Sequence, residues 1–228
     1  MVHQSQFAVK LSTMSISNIE LLKATEKHVR TIFENEGSGH DWWHIHRVRS
    51  MAVKLAQAEG ADLFIVELAA LLHDIDDYKL TNGSQPNKNT IEWLTSCQVD
   101  PDIILNICKI IDGVSFKGAQ VDTSTSNQEC KVLQDADRLD AIGAIGIART
   151  FAYGGSRGRS LYDPAIPPVS HDSFKAYQSS TAPTINHFYE KLLLLKDLMQ
   201  TPTGKALAEK RHAFMVQYLD QFYSEWDN

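Results

Sequence analysis

A chain of 228 residues is long enough to bury one sizeable core, and 43% hydrophobic with 22% charged residues is typical of a soluble globular protein. A formal net charge of −6 argues against a protein that wraps nucleic acid or lies on an anionic membrane. Three cysteines without a CxxC spacing argue against a disulfide framework or a structural zinc site, so we expect reduced thiols in the cytoplasm.

Helical spacing of apolar residues dominates the sequence, and no alternating run predicts a strand. We therefore expect an all-α fold, irregular rather than a simple bundle. Residues 1–15 are expected to form a flexible leader, and 16–228 a single helical domain in which 171–228 is a C-terminal helical extension. The predicted helices cover residues 16–36, 40–58, 61–79, 88–96, 101–113, 129–152, 171–199 and 203–224, with loops at 81–88, 115–128 and 153–168.

Three histidines stand close together at the start of the second predicted helix, in GHDWWHIHRVRS. They are His40, His44 and His46, and Trp42 and Trp43 lie among them. This pattern fits a crowded core, an exposed polar face or the first part of a metal site. We expect the tryptophans to be packing anchors rather than ligand platforms. On a helix His46 points away from His44, so it is expected at the surface.

Two further polar groups follow in otherwise apolar helices. His73 and Asp74 end the third helix in LLHDID, and Asp135, Asp137 and Asp140 lie in QDADRLDAIGAIG. Imidazole and carboxylate together suit divalent Mn, Fe, Co, Ni or Zn. Four ligands would come from one histidine of the second helix, the His-Asp pair and one later aspartate. An octahedral ion bound in this way would keep two open positions, as a catalytic site requires. Spacing alone leaves open which histidine and which aspartate take part.

These groups, in this order, resemble the HD-domain superfamily of metal-dependent phosphohydrolases. The likeness rests on H-x-x-R-V at 44–48, H-D at 73–74 and DADRLD at 135–140. It extends from residue 40 to about 222, through SFKG, IGIARTFAYGG, HFYEKLLLLKDLM and LAEKRHAFM, which are typical of a subgroup of small bacterial-type HD hydrolases. The resemblance implies an HD-domain fold with additional C-terminal helices. The metal ligands that it implies are His44, His73, Asp74 and Asp137.

The positions within the motifs decide these choices. His44 stands three residues before Arg47, as in the family motif, and Asp137 immediately precedes Arg138. Helix geometry agrees with the choice of His44. His44 and Val48 lie on the same face of the helix, so the helix can bury that face and still direct the His44 imidazole towards a metal ion.

Supporting roles fall to residues beside these ligands. Asp41, three residues before His44, would either accept a hydrogen bond from that imidazole or act as an acid at the helix start. His40 is either a polar helix-start residue or a substrate contact. Asp140, three residues after Asp137, would either support a metal ligand without binding the ion itself or form an ion pair with Arg138, and a structural role is favoured.

Two acids follow the His-Asp pair in HDIDDY. In some related HD hydrolases an acid four residues after the histidine of the pair helps to activate water. The resemblance therefore makes Asp77 the catalytic candidate beside the metal ligand Asp74, and Asp76 a weaker one. The other possibility for both Asp76 and Asp77 is a solvated helix-end acid.

Basic residues are needed to neutralise phosphate charge. Lys117 in SFKG and Arg157 and Arg159 in GGSRGR lie in predicted loops beside the expected site helices. His187 and Lys191 in HFYEK recur in the family likeness. We take these five as candidate substrate-binding residues, with an ordinary surface charge as the alternative for each.

The resemblance implies hydrolysis of a phosphoester or phosphoanhydride bond in a nucleotide, for example a nucleoside triphosphate giving a monophosphate and pyrophosphate. No histidine lies between Asp74 and Asp137, where two-metal relatives carry more, so we expect one divalent ion. Mn²⁺ is favoured over Mg²⁺, Co²⁺, Ni²⁺, Fe²⁺ or Zn²⁺. The alternative is a non-catalytic regulatory module that binds metal or nucleotide. We expect neither a nucleic-acid polymer nor a membrane as partner, and a homodimer is left open.

Overall fold

The computed structural model describes residues 16–34, 41–76, 86–114, 123–169 and 181–226. Every regular element in these ranges is a helix, which confirms the predicted all-α fold. None of the described helices is both long enough and apolar enough to cross a membrane. The helices are α1 (Asn18–Phe33), α2 (Trp42–Glu59), α3 (Leu63–Leu72), α4 (Lys88–Ser96), α5 (Pro101–Val114), α6 (Gln128–Asp140), α7 (Gly143–Ser156), α8 (Asn186–Glu190), a 3₁₀ helix (Leu192–Leu198) and α9 (Pro202–Trp226).

Several predictions fall outside the described ranges. They are the leader over 1–15, the predicted loop 81–88 up to residue 85, the predicted loop 115–128 up to residue 122, the predicted helix 171–199 up to residue 180, and three candidate site residues: His40, Asp77 and Lys117.

The core is centred on α2, which packs against α3 and α6. One face of α2 is completely buried, including Ile45, Val48 and Leu55, because its apolar residues recur at helical spacing. Helix α3 is apolar on nearly all sides, and Leu68–Leu72 are fully buried. Burial of such side chains stabilises the fold by about 1.5–3 kcal/mol each. The three helices that carry the ligand candidates are therefore held by the best-packed part of the molecule.

Side-chain caps fix where the site helices begin. The Asp41 carboxylate accepts a hydrogen bond from the His44 backbone N–H (2.9 Å) at the start of α2. Asp62 accepts one from Ile65 N–H (3.0 Å) and is the N-cap of α3. Such caps satisfy backbone donors that a helix start would otherwise leave without partners.

The predicted helix over 129–152 is in fact two helices, and the prediction of one continuous helix is wrong. Helix α6 ends at Asp140 and α7 begins at Gly143, which has a positive φ of 79°. A side chain at Gly146 would place its Cβ 2.2 Å from the carbonyl oxygen of Ala141. Glycine at both positions therefore allows the chain to turn sharply immediately after the acidic motif.

The third predicted helix also ends earlier than residue 79. Helix α3 ends at Leu72, and residues 73–76 form turns. Within this segment the Asp76 carboxylate accepts hydrogen bonds from Asn89 N–H (2.8 Å), Thr90 N–H (2.9 Å) and Thr90 Oγ1 (2.8 Å). Asp76 thus caps α4 from another part of the chain, while His73 and Asp74 occupy the turn before it.

The C-terminal part is less regular than predicted. In the described part of the predicted helix 171–199, residues 181–185 are not helical, and α8 and the 3₁₀ helix follow. Backbone hydrogen bonds from Thr184 and Ile185 to the carbonyl groups of Ser160 and Leu161 hold these two segments together. The last helix, α9, forms as predicted and packs against α7 and α6.

Candidate metal centre

Side chains from α2, the turn after α3, and α6 converge on one point. His44 Nε2 lies 3.4 Å from Asp74 Oδ2 and 3.5 Å from Asp137 Oδ1. His73 Nε2 lies 3.5 Å from Asp74 Oδ1. Ligand atoms of His44, His73 and Asp74 all lie within 4.8 Å of one another, close enough to share one ion. Asp137 borders this group through its contact with His44.

Both imidazoles are held by their Nδ1 atoms, which leaves Nε2 facing the group. His44 Nδ1 lies 2.7 Å from Asp140 Oδ2, and His73 Nδ1 lies 2.8 Å from the carbonyl oxygen of Ala70. Metal-binding histidines usually donate their second ring N–H in this way. His73 Nε2 is buried and makes no hydrogen bond to any described residue, which is costly unless something else occupies that position.

The exposure of the acids shows where the group opens. The His44 side chain is 1% exposed and that of Asp74 is 13%, whereas that of Asp137 is 32% exposed. The group is therefore closed on the side of the core and open beside Asp137. A cation bound here would keep positions that solvent or a substrate can reach, as catalytic metal sites do.

The charges around His44 also favour a cation. Burial alone would lower the pKa of His44, but hydrogen bonds to Asp140 and Asp74 outweigh that effect and raise the pKa to about 9. The negative charges of Asp140 and Asp74 are thus balanced by a proton on the His44 imidazole. A divalent ion would replace that proton, since ligands must be deprotonated to bind metal. The donor set of two imidazoles and two carboxylates fits one divalent ion of the first transition series.

Asp140 contacts the His44 imidazole, which fits the supporting role that was one of its two predicted alternatives. Its Oδ1 accepts from Arg47 Nε (2.7 Å), and its Oδ2 accepts from Arg47 Nη2 (3.0 Å) and Arg149 Nη1 (3.0 Å) in addition to His44. Although burial opposes ionisation, the hydrogen bonds from His44 and Arg47 hold the pKa of Asp140 well below its usual range. The expected pairing of Asp140 with Arg138 is wrong.

Arg138 has other partners because it points away from the metal group. Its Nη2 donates to Thr123 Oγ1 (2.8 Å), its Nη1 donates to the carbonyl oxygen of Leu198, and Nη1 lies 4.0 Å from Asp135 Oδ1. The Asp135 carboxylate accepts from Gln200 N–H (2.9 Å), Thr201 N–H (2.7 Å) and Thr201 Oγ1 (2.8 Å). Asp135 therefore anchors the start of α9, and Asp137 faces the histidines.

The other residues of the first histidine-rich stretch have separate roles. Asp41 accepts a hydrogen bond from the backbone N–H of His44, whereas Asp140 holds the imidazole. Of the two roles considered for Asp41, the structure therefore supports the acid at the helix start. Trp42 is buried as expected, but Trp43 is 56% exposed and does not anchor the core. His46 is exposed, as predicted, and its ring meets the edge of Trp43.

Two of the described candidates for phosphate binding, Arg157 and Arg159, lie near Tyr153 of α7. The guanidinium carbons of Arg157 and Arg159 lie 5.3 Å and 5.8 Å from the centre of the Tyr153 ring. Burial, with Lys191 and Arg159 nearby, lowers the pKa of His187 to about 3, so this imidazole is neutral. The sequence prediction did not include Tyr153. Tyr153 stands four residues after Arg149 and four residues before Arg157, so the three side chains lie on one side of α7. This spacing is the feature of the sequence from which Tyr153 could have been identified.

Comparisons with known proteins agree with this geometry. A family model for the HD domain matches residues 42–142, a range that contains all four ligand candidates. A solved structure from Lactobacillus plantarum is 40% identical, with a TM-score of 0.81, over 93% of this chain and 98% of that one. An HD-superfamily hydrolase from Bacillus thuringiensis is 44% identical, with a TM-score of 0.73, over 92% and 99%.

A third relative has been crystallised with a nucleotide. The uncharacterised protein YpgQ of Bacillus subtilis is 40% identical over 195 residues, which are 85% of this chain and 87% of YpgQ. The crystal structure of YpgQ in complex with ADP superposes with a TM-score of 0.71 at 38% identity, over 90% of this chain and 97% of that one.

Proposed function

Because the chain belongs to the HD-domain family of metal-dependent phosphohydrolases, we propose that it hydrolyses a phosphoanhydride or phosphoester bond of a nucleotide. The first candidate reaction converts a nucleoside triphosphate into a monophosphate and pyrophosphate. The observation that carries the proposal is the convergence of two Nε2 atoms and two carboxylates, open on one side, at the position of a divalent cation. The complex of YpgQ with ADP supports a nucleotide as the ligand class.

In this proposal His44, His73, Asp74 and Asp137 bind one ion, with Mn²⁺ the first candidate. When bound, the ion would supply Lewis acidity, lowering the pKa of a bound water and polarising a phosphoryl oxygen. The buried imidazoles fix its position, and the open side at Asp137 admits the phosphoryl group. Asp77, outside the described residues, remains the predicted acid for activating the water.

Arg157, Arg159 and Lys191 are proposed to bind the phosphate chain away from the metal. The planar guanidinium group of an arginine can donate two parallel hydrogen bonds to phosphate oxygens. Lys191, in the segment after α8, adds a single positive charge. The neutral His187 would donate or accept a hydrogen bond there without adding charge. Lys117 keeps its predicted substrate-binding role, and it lies outside the described residues.

Replacing Arg159 or Lys191 by alanine is expected to raise the KM for the nucleotide about 10-fold or more, with a smaller change in kcat. The reason is that a hydrogen bond to a charged group is worth about 1.5–3 kcal/mol, and these groups hold the substrate rather than the reacting bond. Steady-state kinetics at saturating Mn²⁺ measures the effect. Lys88→Ala is the matched control, since Lys88 is an exposed residue paired with Glu92 on α4. Equal KM values for all three variants would contradict the assignment.

Removal of the metal is expected to abolish turnover completely, and Mn²⁺ is expected to restore it. The test uses protein dialysed against a chelator, a panel of nucleoside mono-, di- and triphosphates, and separate assays for phosphate and pyrophosphate. Pyrophosphate release from triphosphates supports the first candidate reaction, and phosphate release alone points to a different bond. Saturable nucleotide binding without turnover in the presence of Mn²⁺ would support the regulatory module instead.

A further inference from the structure

We propose that Asp140 is a positioning residue for the metal centre: it fixes the rotation and the tautomer of His44, and Arg47 and Arg149 fix Asp140 in turn. The inference rests on the proposed metal-binding role of His44. It assigns the function of a carboxylate that does not itself belong to the ligand group.

The geometry of the carboxylate supports this role. Asp140 is 5% exposed, and its Oδ2 lies 2.7 Å from His44 Nδ1, on the side of the ring opposite the ligand atom Nε2. A carboxylate at this position accepts a hydrogen bond from Nδ1–H, so the lone pair of the neutral ring is on Nε2. The other tautomer would place a hydrogen on Nε2, directly facing Asp74 and Asp137, and would block coordination.

Two arginines prevent the carboxylate from turning away. Arg47 donates to both oxygens of Asp140, from Nε at 2.7 Å and Nη2 at 3.0 Å, which fixes the plane of the carboxylate. Arg47 follows His44 by three residues on α2, so one helix presents both the ring and the group that orients its partner. Arg149 adds a third hydrogen bond from α7 at 3.0 Å.

The sharp turn after α6 makes this arrangement possible. Helix α6 ends at Asp140 itself, the chain turns at Ala141 and Ile142, and Arg149 of α7 reaches the Asp140 carboxylate. A continuous helix would have carried residue 149 about 13.5 Å along the axis from residue 140, at 1.5 Å per residue. The turn thus connects the orientation of a metal ligand with the helix that also carries Tyr153.

The test replaces Asp140 by asparagine and measures Mn²⁺ binding by isothermal titration calorimetry. We expect an affinity about 10- to 100-fold weaker than wild type, which is the usual result of removing the partner of a ligating histidine. Asparagine keeps the size of the side chain but loses the charge that pairs with the arginines. In the metal-free variant, the NMR resonance of the His44 Nδ1 proton is expected to shift or disappear relative to metal-free wild type because its acceptor has changed.

Asp135→Asn is the matched control, since Asp135 is also a buried acid of α6, with hydrogen bonds to Gln200 and Thr201 instead of His44. It is expected to lower thermal stability and to leave the Mn²⁺ affinity of the folded protein within about 2-fold of wild type. A purely structural role for Asp140 predicts the same result for Asp140→Asn, and that result would overturn the inference.

A milder variant keeps the inference testable if Asp140→Asn does not fold. Arg47→Gln leaves the carboxylate in place and removes only part of its support, so an Mn²⁺ affinity about 5-fold weaker is expected. An unchanged affinity would overturn the role given to Arg47 and, with it, the inference. Failure of the wild-type protein itself to bind Mn²⁺ would instead refute the proposed function on which the inference rests.

Discussion

Replacement of Asp74 by alanine is expected to reduce kcat/KM about 10³-fold or more while leaving the fold intact. Asp74 brings one oxygen to 3.4 Å from His44 Nε2 and the other to 3.5 Å from His73 Nε2, so it contacts both imidazoles of the proposed metal centre. Lewis-acid stabilisation by a metal is worth several kcal/mol, and its loss corresponds to a factor of this size. Without metal, the free energy of unfolding is expected to change by less than about 1 kcal/mol.

The same substitution at Asp76 provides the matched comparison, two residues along the same turn. Asp76 accepts three hydrogen bonds at the start of α4 and makes no ion pair with the histidines in the described structure. Asp76→Ala should therefore lower the free energy of unfolding by about 1–2 kcal/mol, as removal of a helix cap does, and retain hydrolysis. Urea unfolding with a chelator and Mn²⁺-dependent kinetics measure the two effects. Equal loss of activity in both variants would contradict the assignment of Asp74.

The four proposed ligands could be chosen from the sequence because their residue types and their order match the motifs of the HD family. A histidine three residues before Arg47, an adjacent His-Asp pair and an acid before Arg138 are local patterns, and the helices that carry them have regular apolar faces. What those patterns specify is residue type and spacing. The structure adds that the side chains of His44, His73 and Asp74 meet.

The partner of the His44 imidazole could not be predicted in the same way. Helical spacing placed Asp41 on the correct side of α2, but the first-turn backbone N–H groups need acceptors, and the short Asp41 side chain serves them instead. The actual partner, Asp140, is 96 residues further along the chain. A long-range contact of this kind depends on how α2 and α6 cross, which no local pattern encodes.

Helix ends show the same limit. The apolar spacing of 129–152 continues across residues 141–142, so periodicity alone predicts one helix. The break depends on the positive φ of Gly143 and on the room that Gly146 leaves for the Ala141 carbonyl. Glycine is compatible with both a helix interior and a turn, and tertiary packing decides between them.

The largest loss of stability is expected from Asp135→Ala, at about 3 kcal/mol or more in the free energy of unfolding. Asp135 is completely buried, and its removal leaves the N–H groups of Gln200 and Thr201 and the Thr201 hydroxyl without their acceptor. Each buried donor that loses its partner costs about 1–3 kcal/mol. The expected change is largest at the start of α9, where hydrogen exchange of the Thr201 amide should accelerate.

Asp137→Ala is the control for this change, because it removes the same group from the same helix two residues away. The Asp137 side chain is 32% exposed and lies among other acids, so unfolding of the metal-free protein should change by less than about 0.5 kcal/mol. Its Mn²⁺ affinity should fall, whereas that of folded Asp135→Ala should stay close to wild type. If Asp137→Ala lowered the free energy of unfolding and Asp135→Ala lost Mn²⁺ affinity, the roles given to these two acids would be reversed. Denaturant unfolding and calorimetric titration on both variants decide the matter. Different roles are expected because residues at positions i and i+2 of a helix point about 200° apart.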